Sequence, residues 1–219
     1  SGVVEINRGL LAFTQRQRER ARQWLREGTR IVGNPLLTRL RLTVEASRLR
    51  LEPSLFLRDL ELGDPGKFTV DRTDLLAMVQ MLGMYREEGV EDLGAALDGL
   101  VKPLKRAIKA LSAEDDLLSV CECLHQAPHH ALLEYAATHA LEHRQERPLF
   151  VYFQIFGRAK GSLHQVKDRD FQRLEVARER AAATKDHRAK LLIERFFDQG
   201  LFHARPATRS RLGHLTEMN

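Results

Sequence analysis

The chain predicts an all-α fold, a multi-helix bundle of about eight or nine helices, with stacked helical hairpins left open as its arrangement. Three observations carry this. Leu, Ala, Glu, Arg and Gln are abundant whereas Val, Ile, Thr and Tyr are sparse, a bias toward helix formers. Apolar residues recur at spacings of three and four in nearly every segment, the period of a helix with one buried face. Hairpin turns are scarce, and Pro35, Pro53, Gly89, Pro148 and Gly200 fall where a helix would stop or start. At 219 residues the chain can bury a substantial core, in one large domain or two small ones.

In chain order, Leu10, Phe13, Ala21, Trp24 and Leu25 mark one stripe of a helix from Leu10 to Arg30. Arg16, Arg18, Arg20, Arg22, Arg26 and Arg30 cover its remaining faces, which makes it a basic amphipathic helix. Asn34 and Pro35 start the next helix, through Leu37, Leu40, Val44 and Leu51, with Pro53 as its stop. LRLTVEA within it also alternates with period two, so a strand over Leu40 to Ala46 is the alternative. A short helix from Ser54 to Leu62 precedes the turn GDPG at Gly63 to Gly66, the expected subdomain boundary. The organisation this implies is a basic N-terminal helical segment, 1–62, a main helical domain, 67–204, and a flexible tail, 205–219.

Leu75, Val79, Leu82 and Tyr85 or Arg86 share a face of a helix from Thr73 to Glu88 that Gly89 ends. Leu93, Leu97, Leu100, Leu104, Ala107 and Leu111 continue the pattern, interrupted by Pro103, which must kink or restart the helix. Ser112 with Asp115 caps a helix to His125, and Pro128 opens the one that follows. Pro148 is placed as a first helical residue and Gly157 as the residue past the end. Between them LFVYFQIF holds four of the chain's fourteen aromatics. A buried strand fits so apolar a run equally well, but a lone strand among helices has no partner for its backbone, which favours helix. Helices from Asp168 to Thr184 and Asp186 to Gln199, separated by Lys185 and ended by Gly200, close the chain as a hairpin.

Charge is unevenly spread. Arg outnumbers Lys 27 to 8, an excess that a GC-rich bacterial genome produces without function. Residues 1–50 carry 11 Arg against 4 Glu, whereas residues 51–100 carry 4 basic against 11 acidic groups. Opposite blocks imply either internal docking of the basic arm or a free face for an acidic partner. The six arginines from Arg16 to Arg30 are therefore the candidate partner-binding residues. The expected partner is an acidic protein, with nucleic acid the alternative, although the chain lacks a helix-turn-helix signature or an aromatic stacking platform. No apolar run approaches a membrane span and no secretory signal opens the chain, whose Ser1 and Gly2 look like a cloning remnant. Cys121 and Cys123, two residues apart, fit a reducing, cytoplasmic setting.

No phosphate loop, nucleophile elbow or dinucleotide fingerprint is present. The histidines are the remaining chemistry, five of nine lying between His125 and His143. Cys121, Cys123, His125, His129 and His130 are close in sequence, but the two thiols point about 200° apart on a helix rather than converging. His139 and His143, one turn apart on one helical face, have the spacing to grip a zinc ion, with Glu142 beside them.

The string His139-Ala140-Leu141-Glu142-His143 resembles the H-x-x-E-H motif of the inverted zinc peptidases of the pitrilysin and insulinase type. The resemblance covers five residues. It implies zinc held by His139 and His143, Glu142 as general base, and a distant glutamate as third ligand, for which Glu194 and Glu217 are the candidates. Those peptidases have mixed sheet and helix halves that this sequence does not predict. The expectation is accordingly a non-enzymatic helical interaction module, adaptor or scaffold, with no cofactor; the nucleic-acid-binding domain and the zinc-dependent hydrolase are its alternatives.

Overall fold

Helix-forming composition yields helices throughout. The computed structural model describes residues 2–48, 68–90, 93–143 and 147–203, and among these there are ten α-helices, two short 3-10 helices and no strand. The expected helix at 54–62, the turn at 63–66 and the tail at 205–219 lie outside the described residues. Contacts group the chain into two units, Ser1–Ala110 and Leu111–Asn219. No helix among the described residues is long and apolar enough to cross a membrane.

The first unit opens with a hairpin where the periodicity suggests one helix. α1 (Gly2–Thr14) and α2 (Arg18–Val32) are separated by a turn in which Arg16 takes the left-handed conformation at φ 61°. From Thr14 to Arg20 the sequence offers no apolar side chain to bury, so nothing holds the chain on a straight path there. The two helices then pack backbone to backbone. A Cβ added at Gly9 would stand 2.5 Å from the Leu25 side chain, and one at Gly28 2.7 Å from the Gly2 carbonyl. Ile6, Leu25, Leu42 and Ala46 form the core cluster here, with Leu10, Phe13 and Val32 against it.

α3 (Pro35–Arg48) begins at the expected Asn34, whose Oδ1 accepts the Leu37 N–H at 3.0 Å. Its alternation is real but belongs to a helix. Leu36, Thr38, Leu40, Leu42, Val44 and Ala46 are all buried. Residues two apart lie about 200° apart round a helix, so burial at every second position means that α3 is covered on several sides, by α2, by the helix that follows and by a 3-10 turn. That next helix, α4 (Arg72–Glu87), starts with an Asp71/Asp74 capping box and ends before Gly89 at φ 73°. Asn34 Nδ2 also donates to Asp74, which ties the starts of α3 and α4 together. Pro103 restarts the chain rather than kinking it: a 3-10 helix, Ala95–Leu100, passes into α5 (Val101–Lys109), whose first turn holds the proline.

In the second unit α6 (Glu114–Gln126) starts after Ala113 rather than at the expected Ser112, and three acids, Glu114, Asp115 and Asp116, occupy its first turn. α7 (His130–His143) and α8 (Pro148–Arg158) pack as a close pair. α8 is the centre of this unit: every residue from Pro148 to Ile155 is buried, as is Gly157. Each large side chain so buried contributes roughly 1.5 to 3 kcal/mol. Tyr152, Phe153 and Phe156 stack with His125, and Phe196 closes over Tyr152 and Phe156. α9 (Asp168–Ala183) and α10 (His187–His203) make the expected hairpin, turning at Lys185 with φ 58°. Asp186 caps α10 through the Ala189 N–H at 3.0 Å, and α10 continues through Gly200.

Candidate functional site

The six arginines do not share one straight helix. Arg16 sits in the turn between α1 and α2; the other five lie on α2, where Arg18, Arg22, Arg26 and Arg30 recur every fourth residue and form a slowly winding strip. Arg16, Arg18, Arg20, Arg26 and Arg30 are exposed and Arg22 is half-buried. Arg22 and Arg30 meet carboxylates of their own helix. Arg22 Nη1 lies 3.2 Å from Glu19 Oε1, and Arg30 makes a two-point contact with Glu27 at 2.7 and 3.2 Å. The Arg30 guanidinium, by hydrogen bonding, holds the Glu27 carboxyl below its ordinary range. Arg20 donates at 3.4 Å to the neutral amide oxygen of Gln17. Trp24 is half-buried under the Arg8 guanidinium, 5.2 Å from ring centre to cation, which is neither plain core nor a free stacking surface.

Between the basic block and the acidic block that follows it, Arg48 Nη2 meets Glu88 Oε2 at 2.6 Å. That pair links α3 to α4 and lies outside the six arginines. Val3, Val4 and Leu11 of α1 and Ile31 of α2 are exposed on the same hairpin as the arginines.

The second group of candidates is at the C-terminal end of α7. The nearest donor atoms of His139, Glu142 and His143 lie within 4.8 Å of one another. His139 is buried, Glu142 and His143 exposed. His139 Nε2 is 3.1 Å from the Leu111 carbonyl oxygen, and its Nδ1 is 3.9 Å from Glu142 Oε2. A carbonyl oxygen only accepts, so Nε2 is the donor in that bond, and Nδ1 is the nitrogen that faces Glu142. Glu194, a sequence candidate for third ligand, pairs with Lys190 on α10 at 3.6 Å and is not one of this group; Glu217 lies outside the described residues.

Cys121, Cys123, His125, His129 and His130 are buried or half-buried within the second unit. Burial pushes the Cys123 thiol up to about 12 and that of Cys121 higher still, which disfavours the thiolates a zinc site needs. His125 shares a 3.0 Å hydrogen bond with the Tyr152 hydroxyl. His129 Nδ1 accepts the Leu132 N–H at 3.2 Å and so caps α7. Burial, then the neighbouring His129 and Lys160, pulls His130 below the usual imidazole value.

One buried polar chain escaped the sequence reading. Gln154, inside the apolar run of α8, donates to Thr138 at 2.9 Å and accepts from Arg173 at 3.0 Å. Asp170, 6 % exposed, receives Arg158 Nη1 on both oxygens at 3.0 Å, and Arg158 Nε donates to Glu134 at 2.9 Å. The chain joins α7, α8 and α9, and the one signal for it was a glutamine in an otherwise apolar octet. Along its edge runs a groove of about 270 Å³ between Val151 and the α9 residues Arg169, Arg173, Val176 and Arg180.

No family model matches the chain, and neither a curated protein nor a solved structure does.

Proposed function

We propose that the chain is a non-enzymatic helical interaction module, a cytoplasmic adaptor or scaffold whose N-terminal hairpin offers a basic face to an acidic protein partner. The observation that supports this is where the cations stand. Arg16 lies in the turn between α1 and α2, and Arg18 and Arg20 lie in the first turn of α2, at the positive end of its helix dipole. Carboxylates stabilise that end, and a cation there costs about 0.3 to 1 kcal/mol. All three side chains are exposed. Glu19 is the one carboxylate in that first turn, and carboxylates brought by a partner would add further acidic neighbours.

A protein partner is favoured over nucleic acid by the apolar side chains nearby. Val3, Val4, Leu11 and Ile31 add exposed apolar area to the hairpin, and arginine with apolar surface is the usual composition of a protein interface. Phosphate binding, by contrast, needs charge alone. Anisotropy titrations of the intact chain with a labelled acidic peptide and with a single-stranded oligonucleotide of equal length separate the two. The peptide should bind more tightly at 150 mM salt; tighter oligonucleotide binding would replace this reading with the nucleic-acid one.

A further inference from the structure

We propose that His139, Glu142 and His143 bind one divalent transition-metal ion of the zinc class, with Glu142 as a ligand. This site is separate from the basic hairpin and does not depend on it. The first support is convergence: two imidazoles and a carboxylate at positions i, i+3 and i+4 of α7 bring donor atoms within 4.8 Å of one another. In a tetrahedral site with bonds of about 2.0 to 2.2 Å, neighbouring donors stand roughly 3.3 Å apart. Closing from the larger spacing takes only side-chain rotation of Glu142 and His143, which are exposed and free to turn on χ1 and χ2.

The second support is the Leu111 carbonyl. It lies 28 residues away in sequence and receives the Nε2 proton of His139, the partner that metal-binding histidines use to fix ring orientation and tautomer. That leaves Nδ1, the ring nitrogen the carbonyl does not hold, 3.9 Å from the Glu142 carboxylate. A metal ion between them takes the Nδ1 lone pair and a carboxylate oxygen together, displacing any proton that Nδ1 carries. The His143 ring stands edge-on to His139, 4.8 Å between centroids, and contributes the third donor from the solvent side. In the zinc-peptidase motif that this string resembles, the glutamate would be the base and a distant residue the ligand; here Glu142 itself completes the donor set.

The test is zinc binding by the intact chain, followed by calorimetry and competition with a chromophoric chelator. One zinc per chain is expected at micromolar concentration or below. His143→Ala and Glu142→Gln, both at exposed positions, should keep the helical circular dichroism and each weaken zinc by at least about tenfold. Replacing both cysteines with alanine should leave binding unchanged. Cobalt substitution should give visible absorption that disappears in His143→Ala. The proposal is overturned if the chain binds no zinc at these concentrations, or if stoichiometric zinc persists undiminished in both exposed variants.

Discussion

Gly157 of α8 lies directly on the backbone of Glu134 in α7: a Cβ at Gly157 would stand 2.7 Å from the Glu134 nitrogen and 2.8 Å from the His130 carbonyl oxygen. Neither atom is the end of a flexible side chain, so the helices must part if the residue grows. Gly157→Ala should therefore destabilise the protein by about 1 to 3 kcal/mol, the usual range for overpacking. Gly83 in α4 is the control, because nothing stands within 4 Å of its missing Cβ. Gly83→Ala should stabilise by about 0.5 to 1 kcal/mol through helix propensity. Urea unfolding of the two variants reads both signs, and equal effects would remove close packing as the reason for Gly157.

Asp170 and Glu134 both bind Arg158, from different environments. Asp170 is buried, whereas the Glu134 side chain is 37 % exposed. Asp170→Ala should cost about 1.5 to 3 kcal/mol, the range for hydrogen bonds to charged groups, and Glu134→Ala no more than about 1 kcal/mol after solvent screening. Equal losses in denaturant midpoint would mean that burial does not distinguish the two pairs.

The cysteine thiols give a pH dependence of known sign. Burial raises both above the ordinary 9.0, Cys123 to about 12. Above pH 9 the unfolded chain loses these protons while the folded chain keeps them, so stability is unaffected below pH 9 and falls as pH rises toward 12. Between pH 8 and 11 the difference in stability between the natural chain and a Cys121→Ala, Cys123→Ala variant should shift against the natural chain. A constant difference would show that the thiols titrate freely, as would rapid alkylation of the native protein.

Charge reversal at the start of α2 should raise stability rather than lower it. Arg18→Glu with Arg20→Glu places carboxylates at the positive end of the helix, worth about 0.3 to 1 kcal/mol each. A loss of more than about 1 kcal/mol in thermal or urea unfolding would mean that the basic arm is docked within the fold, in line with the acidic block that follows it.

Fold class was legible because helical period survives in the residues themselves: Asn34, Gly89, Pro148 and Lys185 mark helix ends as read. The break at Arg16 was not, since a polar run fits a helix surface and a turn equally well. Gly157 was read as a terminator although it is a contact residue, because close approach depends on a helix elsewhere in the chain. Over Leu40 to Ala46 the helix is the expected element, and alternation leaves a strand open beside it because a helix covered on several sides loses its single apolar stripe. At the candidate metal site the spacing of His139 and His143 was visible, but the carbonyl that fixes the His139 proton belongs to Leu111 and only the fold brings it there.

The affinity of the Arg18→Glu, Arg20→Glu variant for an acidic peptide decides whether the start of α2 is a partner-binding face. A labelled poly-glutamate peptide, titrated by anisotropy at 50 and 150 mM salt, should bind the variant at least about tenfold more weakly than the natural chain. The salt dependence should flatten with it, because exposed charges are screened beyond about 8 Å and only close pairs persist. Unchanged affinity in a variant that remains folded would contradict the account and reduce the start of α2 to a solvated face.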